Sequence, residues 1–326
     1  MRAAGSHVPL ALALGVLACS PPASSPPLRW SVAHEEPSAA LLTVLPVDGG
    51  RVLVAGADDG SGPCLLRGDA SGLARVPVGA RGALWWLARD GDGVLGVGEH
   101  GLMVALATPD ADPEVAPAPT DRTLFGAWVA ADGTAWAVGG DVLGTASRGT
   151  MLVRRDGAWQ PEDRIEASLL DPLLFKVWGR NERDVWAAGD EGLALHFDGS
   201  RWSRVETGTR ARLTTVHGAD DDLFVVGGTG NAILLTLADG ALADQAPPFL
   251  PPLNGVFALG GGAALAVGDD ALILERRDGT WTEDLVPSTS PDLHAVASDA
   301  RGEAWAVGGA LFSPAFDRGV VLRGVH

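Results

Sequence analysis

This chain of 326 residues contains no tyrosine, one lysine and two cysteines, and each scarcity excludes a class of site. Without tyrosine, a glycosidase that attacks its substrate through a tyrosine nucleophile is excluded. With two cysteines far apart in sequence, a CxxC metal or redox site is excluded. The only lysine, Lys176, stands among arginines, and we interpret this as a compositional bias and not as a sign of function.

Positive charge is also scarce. The chain carries 24 basic and 41 acidic residues, which gives a formal net charge of −17 at pH 7. Nucleic acids and anionic bilayer surfaces both attract basic proteins, and the pairs Arg154-Arg155 and Arg276-Arg277 are too small to form a basic patch. We therefore expect no nucleic-acid partner.

The chain begins with a short apolar leader. A core from Val8 to Leu17 follows the positive charge of Arg2. This core is shorter than the ~20 apolar residues that a membrane-spanning helix requires. Residues 1–18 are therefore predicted to be a cleaved export signal.

The end of the leader resembles a bacterial lipoprotein signal, because a cysteine follows a small residue in Val16-Leu17-Ala18-Cys19. The resemblance implies that Cys19 is lipidated and becomes the first residue of the mature protein. Residues 19–28, rich in proline and serine, would then form an extended tether. The alternative is an ordinary secretory signal beside an incidental cysteine. Once Cys19 is lipidated, Cys64 has no partner for an internal disulfide, and its apolar surroundings predict a buried thiol.

Seven copies of one apolar pattern follow the leader at intervals of about 40 residues, a period typical of repeat architectures. Each copy opens with a leucine and has an apolar residue three positions later. The openings begin at Leu41, Leu84, Leu124, Leu174, Leu213, Leu253 and Leu293. The second apolar run of each copy ends in glycine, at Gly56, Gly98, Gly139, Gly189, Gly227, Gly268 and Gly308.

Within a copy, the spacing predicts four short strands. Residues 174–205 contain three apolar runs and a fourth around Trp202, separated by polar turns. The runs are apolar on both faces, so each small sheet needs neighbours to cover it. With 44 glycines and 22 prolines, the chain has no room for the paired helices of a helical solenoid. The sequence therefore predicts an all-β, seven-bladed β-propeller of four-stranded antiparallel blades.

The two ends of the domain are predicted to meet in the last blade. The seventh copy supplies its third strand near Gly319–Gly324 and lacks an outer strand. The segment Arg29–Val32, ahead of the first copy, resembles the outer strand Arg201–Val205. We therefore expect an N-terminal strand to complete the last blade and to remove an open sheet edge. Residues 29–326 would form this single domain.

Tryptophans and Asp-Gly pairs recur at fixed places in the copies, which indicates a structural role. The tryptophans are predicted to pack between blades, and the Asp-Gly pairs to form tight hairpins. They are Trp136, Trp186 and Trp305, then Trp159, Trp202 and Trp281, and the turns at Asp156, Asp198 and Asp278. The unit resembles WD40/YVTN/BNR-like (Asp-box-like) repeat lipoproteins of Gram-negative bacteria. The resemblance implies the propeller fold and an outer-membrane location, on the periplasmic or the surface side, and implies little about activity.

No metal or cofactor is expected from the motifs. A zinc or iron site would need two or three histidines that converge. Of the seven histidines, His7 lies in the leader, and His100, His196, His217 and His294 occupy four different places in their copies. Glycine-rich strings such as residues 260–262 are hairpin turns, and no phosphate loop or nucleophile elbow is present.

Acidic loops are the candidate binding site. The loops between the second and third strands carry carboxylates in four copies and would place negative charge around one mouth of the ring. The candidate residues are Asp58, Asp59, Glu99, His100, Asp190, Glu191, Asp269 and Asp270. A basic peptide or a divalent cation would suit them, while the alternative is that short loops of an acidic protein are simply acidic. Two longer loops, 141–148 and 310–318, also suggest a specialised surface.

Together these features predict an exported, lipid-anchored propeller that binds or scaffolds an unidentified protein, peptide or glycan of the cell envelope. The alternative function is a carbohydrate-active enzyme, a glycan lyase or hydrolase with carboxylates at the propeller mouth. Carboxylates are abundant here, but their separation is not visible in a sequence. The two functions are distinguished by partner capture and by polysaccharide cleavage.

Overall fold

The computed structural model describes residues 26–141, 148–284, 286, 291–311 and 316–326. In these residues the chain forms seven four-stranded antiparallel sheets, which confirms the predicted seven-bladed propeller. The first strand of each blade contacts the first strand of the next, and the last blade contacts the first, so the ring closes. The leader and Cys19 lie outside the described residues.

The strands are numbered in chain order, and β1 (Arg29–Glu36) precedes the first blade. Blade one contains β2 (Leu41–Val47), β3 (Arg51–Asp58), β4 (Pro63–Asp69) and β5 (Gly72–Arg75). Blade two contains β6 (Leu84–Asp90), β7 (Gly93–Gly98), β8 (Met103–Leu106) and β9 (Glu114–Ala116). Blade three contains β10 (Thr123–Val129), β11 (Ala135–Gly140), β12 (Gly149–Arg155) and β13 (Ala158–Pro161). Blade four contains β14 (Leu174–Asn181), β15 (Asp184–Gly189), β16 (Ala194–Phe197) and β17 (Trp202–Val205). Blade five contains β18 (Leu213–Ala219), β19 (Asp222–Gly228), β20 (Ala232–Ala238) and β21 (Ala241–Asp244). Blade six contains β22 (Leu253–Gly260), β23 (Ala263–Gly268), β24 (Ile273–Arg277) and β25 (Thr280–Glu283). The last blade contains β26 (Leu293–Ser298), β27 (Ala304–Gly308) and β28 (Gly319–Val325).

Helical structure in the described residues is limited to short 3-10 turns at Glu99–Gly101, Ala167–Leu170 and Asp269–Ala271. Among those residues, no helix has the length and apolar character needed to cross a membrane.

The last blade is completed by the N-terminal strand, as predicted. Strand β1 pairs antiparallel with β28, and the register places Trp30 opposite Gly324. Trp30 is 8% exposed. This pairing gives the third strand of the blade its outer neighbour, so the sheet edge near the C-terminus is covered.

The core lies between the blades. The second strand of blade three, β11, is buried at every residue, which agrees with its continuous apolar run. Trp136 of this strand reaches blade four, where its ring centroid lies 6.0 Å from that of Phe197, and Trp202 belongs to the same cluster. This contact confirms that the recurring tryptophans pack between neighbouring sheets.

The glycine that ends each second strand lets the next turn approach closely. At Gly189, an added Cβ would collide with the carbonyl oxygen of Leu173, just before the first strand of the same blade, at a distance under 3.0 Å. The same collision recurs in all seven blades. Glycine therefore recurs at this position because no side chain fits there.

Two of the three predicted Asp-Gly hairpins have left-handed backbone at both residues. The φ angles are 50° and 80° at Asp156 and Gly157, and 48° and 78° at Asp278 and Gly279. These values fit the predicted tight turns. The turn at Asp198 differs because its loop is longer, and the Asp198 carboxylate accepts the backbone N–H of Ser200 at 2.8 Å.

Candidate functional site: an aromatic basin on the ring axis

The ring has two faces that the strand register defines. In every blade the opening leucine of the copy pairs with the recurring glycine of the second strand, as Leu174 does with Gly189. The loops that follow these glycines therefore surround the start of the first strands. We call this side the upper face and the opposite side the lower face.

The predicted acidic loops lie on the upper face, and three of them share one backbone geometry. In blades two, four and six, the backbone N–H of the first loop residue donates to the carbonyl that precedes the first strand, over 2.9–3.0 Å. The next residue has left-handed backbone, with φ between 54° and 56° at His100, Glu191 and Asp270. The recurrence of these residues thus has a local structural cause.

Several carboxylates of these loops accept local hydrogen bonds. Asp58 accepts the backbone N–H groups of Gly60 and Gly82, each at 2.8 Å. The hydrogen bond from Arg75, at 2.7 Å, lowers the pKa of Asp59 well below its usual range. Each of these two carboxylates therefore stabilises its own loop.

Two further loop carboxylates have similar partners. Glu99 accepts the backbone N–H of Ala83 at 3.0 Å, and Asp190 accepts that of Glu191 at 3.1 Å. Within the described residues, no group of three or more His, Cys, Asp or Glu could hold a metal ion. The binding role predicted for the eight loop residues stays a prediction.

A basin at the centre of the upper face is lined by the residue that follows the opening leucine in six copies. Its volume is about 280 Å³. Six of the seven copies contribute this second residue, namely Trp85, Phe125, Phe175, Thr214, Asn254 and His294. The other described lining residues are Leu173, Lys176, Arg212, Leu311 and Phe316, so this part of the lining contains no carboxylate.

Aromatic rings from successive blades form one wall of the basin. The ring centroids of Trp85 and Phe125 lie 5.1 Å apart in an edge-to-face arrangement, and those of Phe125 and Phe175 lie 5.6 Å apart. The guanidinium of Arg212 lies 5.4 Å from the centroid of Phe175. Phe316 also packs near Trp85, at 5.8 Å. The wall offers an apolar surface with specific ring geometry.

Lys176, the only lysine, lies at the base of this wall and is 4% exposed. Its ammonium nitrogen Nζ donates to the carbonyl oxygen of Phe125 at 3.1 Å and lies 3.7 Å from the centroid of the Trp86 ring. In the described part of the chain, no carboxylate forms a salt bridge with it. Burial lowers the pKa of Lys176 to about 7.

The third position of the preceding copy, Gly126, makes room for this lysine. An added Cβ on Gly126, the equivalent residue of the preceding blade, would lie 2.9 Å from the Cα and 3.1 Å from the Cδ of Lys176. The lysine side chain therefore crosses toward blades two and three because Gly126 leaves the space empty.

Polar residues on the rim connect the basin with the predicted acidic loops. The Arg212 nitrogen Nε lies 3.6 Å from an oxygen of Asp190. The Asn254 side-chain amide donates to Asp269 at 2.8 Å, and burial raises the pKa of Asp269. Two of the predicted carboxylates thus orient basin residues, although they do not line the basin.

His294 is a neutral member of the lining. Its nitrogen Nδ1 lies 2.5 Å from the carbonyl oxygen of Leu42 and therefore carries the hydrogen. Burial and the nearby Lys176 lower the pKa of His294 to about 3. At neutral pH this imidazole adds no charge to the basin.

The two longer loops predicted to mark a specialised surface are only partly described. Residues 142–147 and 312–315 lie outside the described residues. The residues that flank the second of these gaps, Leu311 and Phe316, both line the basin. The longer loop of blade seven therefore begins and ends at the candidate site.

A second cavity, of about 310 Å³, lies at the axis on the lower face. His217 stacks on Phe257 there with centroids 4.4 Å apart, and its nitrogen Nδ1 accepts the backbone N–H of Ala258 at 3.0 Å. Arg89 is the only charged side chain among the described residues of its lining. The described lining of this cavity thus has one cationic side chain, whereas that of the basin has two, Lys176 and Arg212.

Comparisons with known proteins show the fold. No protein-family description matches the chain, and no curated protein matches it in sequence. The virginiamycin B lyase of Staphylococcus aureus has a TM-score of 0.71 and 13% identity, over 90% of this chain and 99% of that one. YCF48 bound to a D1 peptide has a TM-score of 0.69 and 12% identity, over 93% and 98%. The GH74 xyloglucanase of Xanthomonas campestris has a TM-score of 0.64 and 14% identity, over 86% of this chain and 53% of that one.

Proposed function

We propose that this chain is a binding module of the cell envelope and that its ligand, part of a protein or a peptide, occupies the aromatic basin. The observation that supports the proposal is a concave wall of three aromatic rings, Trp85, Phe125 and Phe175, beside polar side chains. Ligand sites typically combine an apolar lining with a few placed polar groups. YCF48, a propeller of similar fold, has a structure with a bound peptide.

Partner capture tests this function. The wild-type protein, immobilised, is exposed to envelope extract, and the captured proteins are quantified beside those captured by Phe175→Ser. We expect the substitution to reduce capture of the main partner at least about tenfold, as for a central aromatic contact. Leu259→Ser is the matched control, because Leu259 is 39% exposed and lies at the end of β22 on the lower face. Equal capture by Phe175→Ser and wild type would place the binding site elsewhere.

The proposed location is the outer membrane, through a lipid on Cys19. This proposal rests on the sequence around Cys19. Replacement of Cys19 by alanine would move the protein into the soluble fraction after cell lysis. Cys64→Ala is the control, because Cys64 is buried and burial raises the pKa of its thiol to about 12, so it offers no thiolate for modification. Membrane association that persists in Cys19→Ala contradicts the lipid anchor.

Cleavage of glycans is the alternative function. Glycosidases use two carboxyl groups about 5–9.5 Å apart, whereas the described lining of the basin contains no carboxylate. The similarity to a xyloglucanase concerns the fold alone. A screen on polysaccharides tests this alternative, with Asp190→Asn and Asp269→Asn as the carboxylate variants. Release of sugar by the wild type, lost in either variant, would favour the enzyme.

A further inference from the structure

The ammonium group of Lys176 lacks a compensating charge, and this is the observation that points to a ligand. An ammonium has three hydrogens to donate, yet the described residues provide one acceptor, the carbonyl of Phe125, and the face of the Trp86 ring. Buried charges are normally paired, because their transfer out of water is costly. A group that completes this environment would be an anion.

The charged groups around Lys176 favour the binding of an anion inside the basin. Arg212 lines the same basin, and the described lining holds no carboxylate that would repel a negative group. Asp190, which lies 3.6 Å from Arg212, balances that guanidinium only in part because the distance exceeds that of a hydrogen bond. A chain with a formal net charge of −17 thus concentrates two cations at the axis of one face.

The volume of the basin limits the size of the group that can be attached to the anion. Its volume of about 280 Å³ is at the lower end of the roughly 300–1,000 Å³ of typical small-molecule sites. The wall of Trp85, Phe125 and Phe175 would cover one compact apolar group, such as a single aromatic side chain. A folded surface or a long polysaccharide would not enter.

We infer that the basin binds a carboxylate that bears a compact apolar group, with Lys176 as the receptor of the carboxylate and the aromatic wall as the receptor of the apolar group. This inference rests on the proposed binding function and specifies its ligand. Two sources share this chemistry, the free C-terminus of a peptide and a small aromatic acid. Since burial lowers the pKa of Lys176 to about 7, a bound carboxylate would raise that pKa and binding would strengthen as the pH falls through 7.

The test uses matched probes that differ only in charge. Binding of N-acetylphenylalanine is measured by calorimetry against that of N-acetylphenylalaninamide, and a peptide ending in phenylalanine is measured with a free and with an amidated C-terminus. We expect each carboxylate to bind about tenfold or more tightly than its amide, the value of a charge-assisted hydrogen bond. A free peptide that binds more tightly than the small acid identifies a chain end as the source, and the reverse identifies a small acid.

Lys176→Met keeps the length of the side chain and removes its charge. In this variant we expect most of the preference for the carboxylate over the amide to be lost, with only the smaller contribution of Arg212 remaining. Arg212→Gln should weaken both carboxylates by a smaller factor. The control is Arg89→Gln, on the lower face, which should leave the affinities unchanged.

The single lysine allows a direct observation. In protein labelled with 13C-lysine only one side chain is labelled, so the shift of its Cε carbon reports the protonation of Lys176 without any substitution. Addition of the carboxylate probe should raise the midpoint of this titration. Equal binding of acid and amide, an unchanged Lys176 titration, or no binding of any probe at millimolar concentration would overturn the inference. If partner capture still depends on Phe175, the binding function stands and only its carboxylate ligand is rejected.

Discussion

Trp30 donates its indole N–H to a carboxylate oxygen of Asp284 over 3.1 Å, although 254 residues separate them in sequence. The same ring packs on Gly324, where an added Cβ would lie 3.1 Å from three ring atoms. Strand β1 is therefore fixed both to its own blade and to the outer edge of blade six. The closure of the ring depends on one aromatic side chain as well as on backbone pairing.

Replacement of Trp30 by alanine should lower the free energy of unfolding by about 3–5 kcal/mol, the usual effect of removing a buried Trp side chain. Urea denaturation of the mature domain measures it. Trp30→Phe, which keeps most of the packing and loses the bond to Asp284, should cost about 1–2 kcal/mol. A loss in Trp30→Ala no greater than in Trp30→Phe would show that packing at this position does not stabilise the closure.

Gly189→Ala should destabilise the protein by several kcal/mol, because the new Cβ collides with the backbone carbonyl of Leu173, which cannot move without displacing the first strand. Gly72→Ala is the matched control. Gly72 also lies in a strand, its φ is not left-handed and nothing lies within 4 Å of an added Cβ. The control should have a thermal midpoint equal to that of the wild type or slightly higher. Similar midpoints for the two variants would contradict the steric explanation.

Lys176→Met should stabilise the ligand-free protein by about 1–4 kcal/mol at neutral pH, since it removes an uncompensated buried cation. The pKa of Lys176 falls from 10.5 in the unfolded chain to about 7 in the folded one. The cost of its burial is therefore complete below pH 7 and is lost as the pH rises toward 10.5. The difference in unfolding free energy between Lys176→Met and wild type should shrink over this interval, and a constant difference would contradict the lowered pKa.

His217 and His294 should stay neutral down to about pH 5. Burial lowers their pKa values from 6.5 to about 4 and about 3, respectively. Because the unfolded chain takes up these protons first, the stability they contribute is present above pH 6.5 and is lost as the pH falls toward these values. Histidine ring signals in NMR spectra, followed from pH 7.5 to about pH 5, provide the measurement. A midpoint near 6.5 for either ring in the folded protein would contradict this prediction.

The architecture could be predicted because its determinants repeat. The recurring glycine of each second strand, exemplified by Gly189, is fixed by a collision that recurs in every blade. Tryptophan recurs at the position of Trp136 because the same space between adjacent sheets has to be filled. A sequence pattern that is weak evidence for a strand in one copy becomes strong evidence when it recurs in seven copies. The same comparison of copies indicates that Arg29–Val32 is the outer strand that the seventh copy lacks. The turn at Asp198 was the exception, because an Asp-Gly pair does not specify the length of its loop.

The basin was missed for the opposite reason. Its lining comes from the position after each opening leucine, where residues as different as Trp85, Thr214 and Asn254 occur. Residues that recur in every copy identify the positions that stabilise each blade. A binding site on the ring axis occurs once, and it is built from positions at which the residues differ between copies. A sequence does not show which residue of a repeat faces the centre of the ring, and composition alone therefore does not distinguish Lys176 from a compositional bias. Variation at the second position, compared across the aligned copies, was the available signal.

The direction of strand β1 places the N-terminal end of the domain on the face opposite the basin. Glu36 pairs with Gly319 at the upper face, and Arg29 pairs with Val325 at the lower face, where Pro26 accepts hydrogen bonds from Arg277 and His326. The chain therefore joins the domain from below. If a lipid is attached at Cys19, the propeller would be tethered at its lower face. The mouth of the basin, on the upper face, would then be directed away from the bilayer and accessible from the aqueous side.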